Sequence, residues 1–356
     1  MTMVNDISLE LENYGLLANG HVFGNVGAYE ILKGWANYTI DPQLEANKTI
    51  VDIEYSPLND NGKVNFSAEI FILRPQNPDR GNQRIFFDYG NRGNKRALQY
   101  FNDAVASNDP QTLNHCGNSF LFRRGYTIVW GAWQGDLLIG DNRLTMRLPV
   151  ASRGQSKITG TVLSEFIATA PGQKTFPLSG QISTRSHPTV SLNTNNATLT
   201  RRRYPEDKRQ VISNKEWLFA REEGGVGKDF QGIETALFQS DSHIHLPGTF
   251  ETGWIYELIY TANDPLIMGL GHVAVRDLIS FLKYTKGTSN PLAELKIEKV
   301  YGFGRSQTGR CIRDLIYLGF NEDILGRKVF DGVFSHVAGA GKMWLCLLYT
   351  SDAADE

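Results

Sequence analysis

Cysteine is scarce in this sequence. There are three in 356 residues and no Cys-x-x-Cys pair, too few for a disulfide framework. Charge of one sign is also missing. Lys and Arg total 36 against 38 Asp and Glu, for a formal net charge of −2, so nothing marks a nucleic-acid binder or a membrane-surface protein. No apolar run approaches the ~20 residues of a membrane span. The opening MTMVNDISLELENYG has neither a basic start nor an apolar core. It does not read as a signal peptide, and a cytoplasmic location is expected. What the chain does have is a globular balance, 41% hydrophobic and 21% charged, and 35 glycines. Disorder and fibrous repeats are excluded for its bulk. The length suits one large domain or two smaller ones, and the glycines predict many tight turns and close backbone approaches.

The final stretch, Cys346–Glu356, reads CLLYTSDAADE and follows Trp344-Leu345 with no turn or cap. It resembles a sequencing-library adapter translated in one frame. Such a scar is set aside from fold reasoning. It is expected to make few contacts with the body, and the native chain is expected to be truncated near Leu345.

Four segments organise the remainder. Residues 1–136 read as a β-rich start that includes the first strands of a sheet. Ile50–Tyr55 is read as a short strand, followed by the turn Asn59-Asp60-Asn61-Gly62 and the alternating Val64–Leu73, which suggests a hairpin. Arg84–Tyr89 and the continuous apolar run Tyr126–Trp130 are further strands, the second with the pattern of a strand covered on both faces. Residues 137–255 change texture. Short β-like pieces, Ser156–Phe166 and Thr189–Leu199, lie among Ser, Thr, Asn and Gly and read as a β-rich insertion, with Arg201-Arg202-Arg203 as a solvated turn. Residues 256–345 return to α/β order. A helix over Gly269–Tyr284 is followed by a strand over Ile297–Phe303. A second helix over Thr308–Tyr317, with Cys311, Ile312, Leu315 and Ile316 inward, precedes a strand over Val329–Val337. That alternation implies a parallel sheet. Residues 346–356 are the tail.

The chemistry concentrates in Val300-Tyr301-Gly302-Phe303-Gly304-Arg305-Ser306-Gln307-Thr308-Gly309-Arg310. A serine stands where a strand gives way to a helix, with Gly304 before it and Gly309 after it. A nucleophile elbow needs this arrangement, because its strained turn requires small neighbours and lifts the serine oxygen above the sheet. The helix N-terminus behind it favours negative charge, and the N–H of Gln307 would be one oxyanion donor. Thr308 occupies the place where G-x-S-x-G has its second glycine. An incidental serine in a Gly-rich loop fits the spacing equally well.

Gly304–Arg310, continued by Leu318-Gly319-Phe320-Asn321-Glu322-Asp323 and Gly326–Val333, resembles a family of large, mostly bacterial alpha/beta-hydrolase-domain proteins. Tyr89–Lys95, Arg124–Trp130, Trp133-Gln134-Gly135-Asp136, Gly269-Leu270-Gly271 and Ala274–Asp277 agree with it, so that the likeness runs over nearly all of residues 20–341. The family's elbow looks like S-Q-T-G or S-Q-S-G, which accounts for Thr308. The resemblance implies an α/β fold, a mostly parallel sheet flanked by helices and cut short at its C-terminal end, carrying the β-rich insertion. It implies hydrolysis of an ester or similar acyl bond by nucleophilic Ser306, without a cofactor. The partner implied is a small ester-type substrate, with no nucleic acid and no membrane. In this fold the second oxyanion N–H comes from the loop after the third strand, where Asn91, Arg92 and Gly93 stand. Arg92 is also placed to bind a substrate carboxylate, and a plain strand-end turn fits the same residues.

The acid and histidine of such a triad follow the serine in the chain, and both are expected beyond the truncation, so that this chain is expected to be inactive. His336 is the only histidine after Ser306. It reads as a core or rim residue, awkwardly placed for a base on the strand beside the elbow, and Asp331 reads as structural. His243-Ile244-His245 with Asp241 has zinc-like residue types, but no third ligand is spaced to match, and no metal is expected. The rival reading is a non-catalytic hydrolase-like scaffold whose insertion binds carbohydrate or a partner.

Overall fold

The computed structural model describes residues 5–179, 183–228, 234–343, 345, 347 and 348. The chain forms two compact units. One holds the residues up to Pro149 and again from Ile267, and the other holds Val150–Leu266 with Leu347 and Leu348. Among the described residues no helix is long and apolar enough to cross a membrane.

The strands of the first unit are β1 (Asn5–Leu16), β2 (Tyr29–Ile40), β3 (Val64–Pro75), β4 (Arg84–Asp88), β5 (Thr127–Gly131), β6 (Met146–Arg147), β7 (Lys299–Arg305) and β8 (Gly332–His336). They lie side by side in the order β1-β2-β3-β5-β4-β7-β8, with β6 also on β3. The sheet is mixed, not mostly parallel. β1, β2 and β3 form an antiparallel meander, β3 meets β5 antiparallel, and only β5-β4-β7-β8 run parallel. The cause is connectivity, since antiparallel neighbours need only loops while each parallel pair needs a crossover. The hairpin also differs from expectation. β3 pairs with β2 along twelve residues, from Tyr29↔Pro75 to Ile40↔Val64. Ile50–Tyr55 is no strand: it holds turns and a 3-10 turn at Ile53–Tyr55. Its buried apolar residues, Ile50 and Ile53, stand three apart, the spacing of a helical turn.

Four helices serve this unit: α1 (Ala97–Phe101), α2 (Phe120–Arg123), α3 (Leu270–Tyr284) and α4 (Gln307–Tyr317). α1 covers one face, with the Phe101 ring 4.7 Å from Phe86 and 4.9 Å from Phe303. α3 and α4 cover the other. There Gly131 and Gly302 have no side chain, and Leu278, Ile312 and Phe330 occupy the space. A Cβ on Gly131 would stand 2.8 Å from Leu278. Because this region has helices on both faces, β5 is buried throughout. On α4, Cys311, Ile312 and Leu315 point inward as expected, but Ile316 is 42% exposed, since five residues past Cys311 the helix has turned it away. Among the described residues β8 pairs with β7 alone, and it starts at Gly332, after Val329 and Phe330 have been spent on the core.

Strand order and helix placement together make a switch point. The chain leaves β4 toward the α1 face and leaves β7 toward the α4 face, although β4 and β7 are neighbours. Chains that diverge in this way open a crevice at the carboxyl ends of the two strands, where open α/β sheets bind ligands.

The second unit is all β. Thr159–Ile167, Ile255–Asn263, Thr198–Arg202 and Gln210–Ile212 form one antiparallel sheet over a core that includes Trp217, Phe250, Tyr256 and Tyr260. Its bounds differ from 137–255. Residues 137–149 belong to the first unit, where β6 joins β3. Ile255–Asn263 is paired on both sides within the second unit. Thr189–Leu199 is not one strand: Asn193 caps a 3-10 turn, and extended pairing starts at Thr198. The arginine triplet is no free turn either. Arg202 and Arg209 hold the buried Glu257 at 2.9 and 2.6 Å, and Arg201 pairs with Glu251. Of the tail, Leu347 and Leu348 are described. Leu348 packs against this core, contrary to the expectation of few contacts, with its Cδ1 over the bare backbone of Gly160. Cys346 and 349–356 lie outside the described residues.

Candidate functional site

Ser306 is the residue between β7 and α4, at φ 57° and ψ −116°. A side chain at positive φ is strained, and the surroundings hold it there. Its N–H donates to the His336 carbonyl at 3.0 Å, and its own carbonyl accepts from Arg310 N at 3.0 Å. The flanking glycines are sterically required. A Cβ on Gly304 would fall 2.3 Å from the Thr308 carbonyl oxygen, and one on Gly309 would fall 2.9 Å from that of His336. Thr308 fits where the G-x-S-x-G pattern has glycine because its hydroxyl accepts from Arg305 N at 2.9 Å and donates to Arg305 O at 3.1 Å. The hydroxyl closes the turn from inside and is itself buried.

Three loops meet at this edge. The loop after β4 arrives through Asn91, whose amide donates to the Arg305 carbonyl at 3.2 Å. The loop after β5 arrives through Trp133, whose indole donates to Gly90 O at 2.9 Å, and through Gln134, which accepts from Gln307 Nε2 at 3.5 Å. The N–H of Gln307, at the first helical position, has no intrahelical acceptor. Gly93 differs from its expected part. Its N–H is spent on Gly90 O at 3.2 Å, and it sits at φ 77° against Leu144 O. It therefore shapes the loop and has no N–H to offer, leaving Asn91 as the residue of that loop in contact with the β7–α4 turn.

His336 lies at the end of β8, where its main chain braces Ser306 and its ring stands 5.5 Å from that of Phe334, tilted by 53°. Ser306 Oγ takes no hydrogen bond from it, nor from any other described histidine. Asp331 is engaged with Lys283 at 2.8 Å and Val300 N at 2.9 Å, contacts that hold its carboxyl below the usual range once burial is overcome. His243 meets Ser242 Oγ at 3.0 Å and His245 meets Thr175 Oγ1 at 3.2 Å. No cluster of three or more His, Cys, Asp or Glu placed for a metal occurs among the described residues.

Sequence reasoning passed over one residue. Asp88 ends β4, 1% exposed. Its Oδ2 accepts from Arg96 N and Ala97 N at 2.7 Å each and from Trp130 Nε1 at 2.6 Å, while Oδ1 takes no hydrogen bond from any described residue. Burial pushes its carboxyl up to about 6, against the lowering pull of those donors. Asp88 also lines a cleft of about 320 Å³ between the ends of β4 and β7, with Asn91, Arg96, Tyr100, Arg305 and Thr308. A charged residue closing the apolar run RIFFD was the available signal. On the opposite face His272 is buried beside Cys311, at 3.9 Å, and burial alone pulls its imidazole down to about 4.

Neither the curated proteins nor the solved structures gave a match to this chain. A family model described as an alpha/beta hydrolase domain matches residues 247–350. That is a shorter stretch than the motif likeness over residues 20–341, and it contains β7, Ser306, α4 and β8. In that stretch the chain is similar to an alpha/beta hydrolase domain, and the strand–turn–helix around Ser306 lies within it.

Proposed function

We propose that this protein is a serine hydrolase acting on a carboxylic ester or a similar acyl bond, built on an alpha/beta-hydrolase fold, with Ser306 as nucleophile. The observation that carries the reading is the strained Ser306 at a strand-to-helix junction, between two glycines that tolerate no side chain. Ser306 Oγ attacks the acyl carbon and its proton passes to a base. The oxyanion forms at the N-terminus of α4, where Gln307 N–H and a donor from the Asn91–Arg92 loop face it. The intermediate collapses, the alcohol or amine leaves with the proton handed on by the base, and water deprotonated by the same base attacks the acyl-enzyme, releasing the acid and restoring the Ser306 hydroxyl.

No described histidine bonds Ser306 Oγ, so the test supplies a base from solution. The full chain and Ser306→Ala are treated with a fluorophosphonate in imidazole buffer and mapped by mass spectrometry. The expected result is an adduct on Ser306 and none elsewhere on α4. Absence of a Ser306 adduct, or equal labelling of the alanine variant, overturns the reading. In that case the missing histidine would favour a non-catalytic scaffold, with the β-rich unit as its binding part.

A further inference from the structure

We infer that the cleft between the ends of β4 and β7 binds a carboxylate of the substrate, which makes the preferred substrate an ester or amide bearing a free acid. The inference deepens the hydrolase reading and rests on it for the word substrate; the binding itself does not depend on Ser306 being a nucleophile.

Position comes first. The cleft opens at the switch point of the sheet, and its wall includes Arg305 and Thr308, on either side of Ser306 in the chain. At about 320 Å³ it is at the small end of ligand sites, which run from ~300 to 1,000 Å³. Charge is the second observation. Arg96 and Arg305 both line the cleft, and neither forms an ion pair with any described residue. Arg96 spends one hydrogen bond on Gln99 Oε1 at 3.2 Å. Arg305 spends one on Tyr100 OH at 3.1 Å, with its guanidinium 5.3 Å from that ring. A guanidinium has five donors arranged to grip a planar anion, so most of the donors on both side chains remain for a ligand. The contacts with Tyr100 also restrain the Arg305 side chain before binding, which lowers the ordering cost.

Asp88 sets the remaining requirement. It is buried, it lines the cleft, and Oδ1 has no partner among the described residues. A second carboxylate against that oxygen would be repelled, whereas an N–H or O–H donor would satisfy it. The ligand chemistry that answers all three groups is a small monocarboxylate with a neutral donor beside the acid, such as an N-acyl amino acid or a hydroxy acid.

The test is calorimetric titration of the full chain with N-acetylglycine, and in parallel with its uncharged amide. N-acetylglycine should bind and the amide should not. Arg305→Ala, at an exposed position, and Arg96→Ala should each weaken binding by at least ~tenfold, the scale of one lost charge-assisted hydrogen bond. Arg305→Lys should recover only part, because a point charge replaces a planar fork. Ser306→Ala should bind as the parent does. Circular dichroism of each variant separates lost binding from lost folding. Equal binding of acid and amide, no binding of either, or binding indifferent to both arginine changes overturns the proposal. If carboxylate binding holds while fluorophosphonate fails to label Ser306, the nucleophile assignment has failed and the anion site stands.

Discussion

Two buried groups on opposite faces of the central sheet should give the first unit stability terms of opposite sign in pH. Asp88 has its carboxyl raised from 3.8 to about 6, first by burial. The folded state therefore holds this proton more tightly than the unfolded chain. Its contribution is complete below the unfolded value and is lost as pH rises through about 6. His272 has its imidazole lowered from 6.5 to about 4 by burial. Here the unfolded chain binds the proton more tightly, so the contribution is complete above the unfolded value and is lost as pH falls through about 4. Each gap of roughly two units corresponds to about 3 kcal/mol. Across the range between 4 and 6 the two slopes offset one another, and the parent should be nearly flat from this pair. Asp88→Asn removes the first term, so the unfolding free energy of the variant should climb by about 2 kcal/mol relative to the parent between pH 4 and pH 6.5. His272→Gln should fall over the same span. Urea unfolding followed by fluorescence at half-unit pH steps measures the differences, which cancel every other titrating group. Curves for parent and Asp88→Asn that stay parallel from pH 4 to 7 would refute the reasoning, because they would mean the carboxyl ionises equally easily folded and unfolded.

The elbow and the second unit supply further expectations. Gly304→Ala drives a Cβ to 2.3 Å from the Thr308 carbonyl and should cost at least ~1–3 kcal/mol, read as a lowered urea midpoint; an unchanged midpoint would show the turn to be looser than described. Ser306→Gly should abolish fluorophosphonate labelling and yet raise stability by roughly 1 kcal/mol, because a side chain at φ 57° is released; a destabilised variant would argue against stored strain. Glu257→Ala in the second unit removes the nearer carboxylate from the largely buried Arg202, leaving it Glu165 at 3.9 Å and the Pro205 carbonyl, and should cost ~2–3 kcal/mol, visible as early loss of the transition belonging to that unit; Glu257→Gln, which keeps hydrogen bonds, should cost less.

The strand–turn–helix at Ser306 was legible because its constraint is local. Gly304, Ser306 and Gly309 lie within six residues, and the steric demand on each glycine comes from backbone a few positions away or from the next strand. α3 was equally plain, since one apolar stripe runs from Leu270 to Leu282. What could not be read depends on long-range order. Nothing in RIFFDY says that β5 will insert between β3 and β4, yet that insertion sets the switch point and places Asp88 in a cleft. The boundary of the second unit was missed for a related reason. Ile255–Asn263 runs almost directly into α3, and only its pairing with Thr159–Ile167 and Thr198–Arg202 assigns it to the other unit. Gly93 was given an oxyanion part from its position after a strand, whereas its N–H closes a turn onto Gly90.

Thr308 links the two halves of the site. In a turn built with glycine at this position, the N–H and C=O of the residue before the serine must find partners elsewhere or in water. Here the Thr308 hydroxyl meets both groups of Arg305. The same carbonyl of Arg305 also accepts from Asn91, so one peptide ties α4, β7 and the loop after β4 together. The clamp fixes the backbone of Arg305 at the point where its side chain turns toward Tyr100 and the cleft. A single hydroxyl thereby sets the strained serine on one side and aims a guanidinium on the other. Thr308→Gly would leave the turn sterically permitted but would take the hydroxyl acceptor from Arg305 N and leave the Arg305 carbonyl to Asn91 alone. Under the two proposals above it should weaken both Ser306 labelling and N-acetylglycine binding. Thr308→Ser, which keeps the hydroxyl, should preserve both. Loss of labelling with carboxylate binding intact in Thr308→Gly would show that the two functions are set independently and that the shared peptide does not couple them.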